Sequence, residues 1–132
     1  MNTKKLMISS CVVLGISGAI LTFIPDETIS SLNITPNPIS TLTLQLLGAL
    51  YLGFAMLNWM AKGSLIGGIY NKPIAIGNFM HFGVGALALV KIMTKIQTHS
   101  EFVLTLTIVY AIFAILFAYV FRTNPSKIEK GE

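Results

Sequence analysis

Four runs of apolar residues constrain this chain more than any other feature. They cover residues 6–24, 41–61, 73–93 and 102–121. Helix rise is 1.5 Å per residue, so about 20 residues cross a hydrocarbon core of ~30 Å. Inside hydrocarbon the backbone must satisfy its own hydrogen bonds, which makes such runs helices rather than strands. Their punctuation agrees. Pro25-Asp26-Glu27 ends the first run, and Pro38 and Ser40 open the second, which Lys62-Gly63 closes. Pro73 sits in the first turn of the third, where its missing N–H costs nothing. Ser100 is placed to cap the fourth, and Arg122 with Asn124-Pro125 ends it. The expected fold is an all-α integral membrane protein, a left-handed up-down bundle of four transmembrane helices. One transmembrane domain is expected over residues 1–132.

Two rival readings fail on simple grounds. A soluble bundle needs a charged face on each helix. Only 11% of residues are charged, against ~25% for a soluble domain, and every Asp, Glu and Arg lies at the edge of a run or outside it. A cleaved signal peptide would suit Lys4-Lys5, but the apolar stretch after them is too long and Ile24-Pro25 is a poor cleavage site. The first run is therefore expected to be retained. Ile8-Ser9-Ser10-Cys11 resembles a lipoprotein cleavage box, yet the apolar run continues through Cys11, the single cysteine, which reads as a helix residue.

Basic residues set the orientation. With the N-terminus inside, Lys4, Lys5, Lys62, Lys72, Arg122, Lys127 and Lys130 face the cytoplasm, and Lys91 and Lys95 face out. Both termini are expected to be cytoplasmic. The basic residues are spread over helix ends and tails rather than gathered in a stripe with aromatics, so no nucleic acid is expected as a partner. In the first outer loop, residues 26–34 could form a short amphipathic helix carrying Ile29, Leu32 and Ile34. Asn33-Ile34-Thr35 matches a glycosylation sequon, a pattern common by chance. His99 falls in the second outer loop, and the tail 122–132 is polar and expected to fray.

The candidate site is a set of polar residues within the runs. In the third, Ile74, Asn78, His81, Gly85 and Ala88 recur at helical spacing and make a small or polar face, with Phe79, Phe82, Leu87 and Leu89 largely elsewhere. In the second, Gln45, Gly48, Leu52, Ala55 and Trp59 share a face, with Asn58 beside it. Cys11, Gly15 and Gly18 form a small face on the first, and Tyr110, Ala114 and Ala118 another on the fourth. Given the topology, Asn58 and Asn78 lie about 5–8 Å deep on the cytoplasmic side, with His81 one turn deeper. Polar groups at such depths are functional candidates by default. The bland reading is equally physical: Asn58, Asn78 and a neutral His81 bond across a seam and lock helices together.

Other chemistry is poorly supported. His81 lacks the further ligands that zinc needs, Cys11 apart, and haem would need an open pocket or a second histidine. All five acids lie outside the runs, so no carboxylate orients His81 and no carboxylate pair can do acid–base work. Gly63 and Gly68 have P-loop spacing, but Ile69-Tyr70 follows them in place of Lys-Ser or Lys-Thr. Lys62 and Lys72 fit lipid head groups, with Trp59 and Tyr70 at the interface. No metal and no cofactor are expected, and an enzyme is not the favoured class.

The segment 45–59, QLLGALYLGFAMLNW, followed by a short basic loop and residues 73–88, resembles small four-helix bacterial membrane proteins of the DoxX-like kind. In those an LGA-type segment similarly opens the second helix. The resemblance spans about half the chain and implies a bacterial cytoplasmic membrane. Members of the broader group are implicated in oxidoreductase-associated or redox-stress complexes, with no defined catalytic residues to carry over. The reading that follows is an accessory or scaffold subunit in the lipid bilayer, with a membrane protein partner or a second copy of itself. The alternative is a binder or carrier of a small apolar ligand, quinone or lipid, in a pocket near Asn58, Asn78 and His81. A channel is a weaker third, because the outer half offers only Gln45 and hydroxyls such as Thr105 and Thr107 to a conducting path.

Overall fold

The computed structural model describes residues 2–64, 66, 68–95 and 100–123. The Ser100 side chain, His99, Asn124-Pro125 and the tail lysines Lys127 and Lys130 lie outside what is described. Regular structure among the described residues is entirely helical: α1 (Thr3–Phe23), α2 (Pro25–Ser31), α3 (Pro38–Ala61), α4 (Lys72–Met93) and α5 (Ser100–Arg122), with a 3₁₀ turn at Ile69–Asn71. The helices α1, α3, α4 and α5 coincide with the four apolar runs and are long and apolar enough to cross a membrane. That marks the chain as an integral membrane protein.

Helix starts are set by side chains more than by the apolar pattern. Asn2 accepts the Lys5 N–H at 3.3 Å and opens α1. Asn37 accepts the N–H groups of Ile39 and Ser40, each at 3.0 Å, and Ser40 Oγ accepts the Asn37 N–H. This reciprocal capping box, with Pro38 in the first turn, starts α3 three residues before its apolar run. The amphipathic segment expected at 26–34 forms the shorter α2, with Pro25, Asp26 and Glu27 in its first turn, where acids favour the helix dipole. It stops before Asn33, whose φ of 61° is a left-handed conformation that asparagine tolerates better than most residues. Asp26 accepts the Thr41 hydroxyl and so ties α2 to the start of α3.

The chain divides into two compact units, Asn2–Gly63 and the part from Ser64 onward. In the first, α1 and α3 pack antiparallel: Ser10 meets Asn58, Gly15 meets Ala55 and Gly18 meets Gly48. The approach is close enough that a Cβ on Gly18 would lie 2.9 Å from the Gly48 carbonyl oxygen and the Leu52 amide. Only glycine permits this, and it brings the two backbones into direct contact. The other faces are apolar and open, with Ile16, Leu46, Leu50 and Met60 exposed.

In the second unit α4 and α5 are also antiparallel. Phe82 stacks on Phe113 at 4.8 Å between ring centroids and on Phe117 at 5.9 Å, and meets Tyr110 edge-on at 5.2 Å. Nearer the turn, the Thr107 hydroxyl reaches Met93 Sδ at 3.6 Å while also donating to the Val103 carbonyl. This corrects the expected face of α4. Ala75, Asn78 and Phe82 are its buried residues, whereas Ala88 is exposed. The buried stripe is turned toward Phe82, because the Phe82 ring supplies more contact area to α5 than the small residues beside it.

Candidate functional site

At the end of the first unit, α3 presents Asn58, Trp59 and Lys62 within about one turn. Asn58 is fully buried, and its Nδ2 donates to Ser10 Oγ at 3.0 Å. Ser10, also fully buried, donates in turn to the Met7 carbonyl at 3.1 Å. The chain Asn58–Ser10–Met7 fixes the register of α1 on α3. Trp59 points off the seam and is half exposed, with the Lys62 ammonium over its ring, 2.8 Å from the centroid. At such a site the cation–π contact is worth about 0.5–1 kcal/mol. Gln45 is exposed, so the inward face of α3 is Gly48, Ala55, Asn58 and Ala61 rather than the stripe that includes Gln45 and Trp59.

In the second unit, Tyr70 and Lys72 stand exposed at the entry to α4. Asn78 is fully buried and donates from Nδ2 to the Ile74 carbonyl one turn back at 2.9 Å. His81 is half-buried beside the aromatic cluster, edge-on to Phe82 at 5.0 Å and tilted against Tyr110 at 5.7 Å. Gly85, on the same side, lies under Tyr110: a Cβ there would meet the ring at 2.5 Å. Gly85→Leu is therefore expected to dislodge Tyr110 and lower the melting temperature in detergent. Leu87→Ala, at a position 72% exposed, should leave it nearly unchanged. Equal effects of the two would place the α4–α5 contact elsewhere.

An apolar groove of about 520 Å³ runs along α4 and α5, lined by residues that include Phe79, Gly83, Val84, Leu87, Ala111 and Ile115. Asn78 and His81 are not in its lining. The groove could accept an apolar chain but offers no polar group to orient a head.

Two participants were missed by sequence reasoning. Ser10 was legible only as part of a Ser9-Ser10 pair in an apolar run; the sign of its role is the Ser10, Leu14, Gly18 spacing of four. The spacing along α4 sets Phe82 largely apart from the small or polar face, whereas the structure buries it against α5. Comparison of the chain with protein-family models, with curated proteins and with solved structures finds no match.

Proposed function

We propose that this protein performs no reaction of its own and serves as an accessory or scaffold subunit of a membrane complex. The observation that most supports this is where the buried polar groups point. Asn58 holds Ser10 across a seam packed to glycine contact, and Asn78 bonds within its own helix. The interhelical Asn58–Ser10 bond holds α1 and α3 in register, and a bond of that kind is worth about 0.6 kcal/mol in a membrane. The outward faces are apolar and suited to lipid or to the helices of a partner, whether another protein or a second copy.

In this reading the four spans form an up-down bundle in a bacterial cytoplasmic membrane, with both termini on the cytoplasmic side. Its support is the seven-to-two distribution of Lys and Arg and the DoxX-like segment at 45–59. The second reading, a carrier of a quinone or lipid, would draw on the apolar groove of α4 and α5, not on the polar side chains.

Native mass spectrometry of protein released from lipid nanodiscs separates the two. The scaffold reading predicts a defined protein assembly, hetero- or homo-oligomeric, that persists in His81→Asn, since asparagine keeps hydrogen-bonding capacity. A monomer carrying one quinone or lipid per chain, lost when the groove is filled in Gly83→Leu while the fold is kept, would overturn it.

A further inference from the structure

We infer that the α1–α3 hairpin carries a binding site for an anionic phospholipid, formed by Lys4, Lys5 and Lys62 with Trp59 beside them. The Ser10–Asn58 hydrogen bond fixes the level of the two helices. Lys4 and Lys5 precede Ser10 by six and five residues, and Lys62 follows Asn58 by four. At 1.5 Å per residue the three lysines lie within about 3 Å of one level along the hairpin axis. The glycine contact at Gly18 and Gly48 keeps the two backbones close. Three lysines therefore lie near one level at one end of one hairpin. The acids of this unit, Asp26 and Glu27, belong to α2 beyond the far end of α1, about 30 Å away along the helix.

Charge alone would suit any anion; the surface above it selects a lipid. Met56, Leu57 and Met60, on the last turns of α3, are 59%, 40% and 76% exposed, and Val12 on α1 is half exposed. Apolar surface directly next to a cationic cluster fits a molecule with an anionic head and acyl chains. Trp59 occupies the boundary, where an indole ring is at home, and Lys62 is held on its face. Each lysine near an anionic bilayer surface adds to the attraction, and the effect is screened by salt. The site goes beyond general head-group contact: it predicts selection among lipids.

This inference rests on the membrane-spanning reading, and Trp59, the single tryptophan of the chain, reports on both. The protein is reconstituted in bilayers in which either phosphatidylglycerol or phosphatidylcholine carries brominated acyl chains, and quenching of Trp59 is read. Quenching by brominated phosphatidylcholine at all requires that the hairpin lie in the bilayer; its absence would sink the spanning reading itself. Given insertion, brominated phosphatidylglycerol should quench preferentially, with a relative association constant about three- to tenfold above that of phosphatidylcholine. The preference should fall toward one in Lys4→Gln/Lys5→Gln/Lys62→Gln and, in the unmodified protein, on raising salt from about 0.05 to 0.5 M. The double variant Lys4→Gln/Lys5→Gln, which leaves the Lys62–Trp59 contact in place, should be intermediate. Equal quenching by the two lipids in the unmodified protein, or a preference untouched by the lysine substitutions, would overturn the site. So would a Trp59 response to inorganic phosphate at constant ionic strength that does not depend on lipid charge, since that would assign the lysines to a free anion.

Discussion

Phe82→Ala is expected to lower stability by about 2–3 kcal/mol, the cavity part of the loss that large-to-small changes at buried aromatics produce. Phe82 is fully buried and touches Tyr110, Phe113 and Phe117. Lipid is as apolar as this cluster, so burial from water adds little; what the ring contributes is packing against three others. Removing it leaves a cavity that a pair of antiparallel helices can close only by shifting along or around each other. Thermal melts in detergent, followed by circular dichroism, read the loss. Leu87→Ala, on the exposed side of the same helix, is the control and should change little. A Phe82→Ala protein that melts with the unmodified one would remove the aromatic cluster from the account of what joins α4 to α5.

The next largest effect is expected in the α1–α3 hairpin, from adding atoms rather than removing them. In Gly48→Ala the new methyl would stand 2.8 Å from the Gly18 carbonyl oxygen and the Thr22 amide, and closer still to the Thr22 hydroxyl. Two of these neighbours are backbone, so relief requires the helices to separate. Overpacking of this kind costs about 1–3 kcal/mol. Separation would also stretch the Asn58–Ser10 bond, which sits along the same seam. Gly53→Ala tests the geometry against helix propensity, because a Cβ at Gly53 meets nothing within 4 Å. It should be neutral or slightly stabilising. Loss of stability in Gly53→Ala equal to that in Gly48→Ala would show that glycine is needed on α3 for some reason other than close approach.

Helix positions were legible in the sequence, and helix faces only in part. Hydrocarbon thickness and the need for internal backbone hydrogen bonds dictate about 20 apolar residues per span, so the runs and the helices coincide to within a few residues. The start of α3 lay further out because Asn37 and Ser40 cap it, a local polar event outside the apolar count. Faces are harder to read because a span is apolar on its lipid side and its packed side alike, which removes the contrast that orients helices in water. Glycine still marks close approach, which is why the Gly18 and Gly48 sides of α1 and α3 were readable. An aromatic ring carries no such mark, and Phe82 was assigned away from the seam that it fills. Ser10 was hidden for another reason: a hydroxyl in a helix can satisfy itself on a carbonyl one turn back, as Ser10 does with Met7, so the residue alone does not announce a partner.

The central claim is that the four helices cross a membrane with both termini inside, and cysteine accessibility tests it most directly. In a Cys11→Ser background, single cysteines are introduced at Thr35, between α2 and α3, and at Ser64, after α3; both positions are exposed. Thr35 is preferred to Asn33, whose left-handed backbone would strain a cysteine. Intact cells are treated with a membrane-impermeant maleimide. The account predicts that Thr35→Cys is labelled in intact cells and that Ser64→Cys is labelled only after the membrane is opened. Labelling of Ser64→Cys but not Thr35→Cys in intact cells would reverse the orientation, and labelling of both would contradict a membrane crossing by α3.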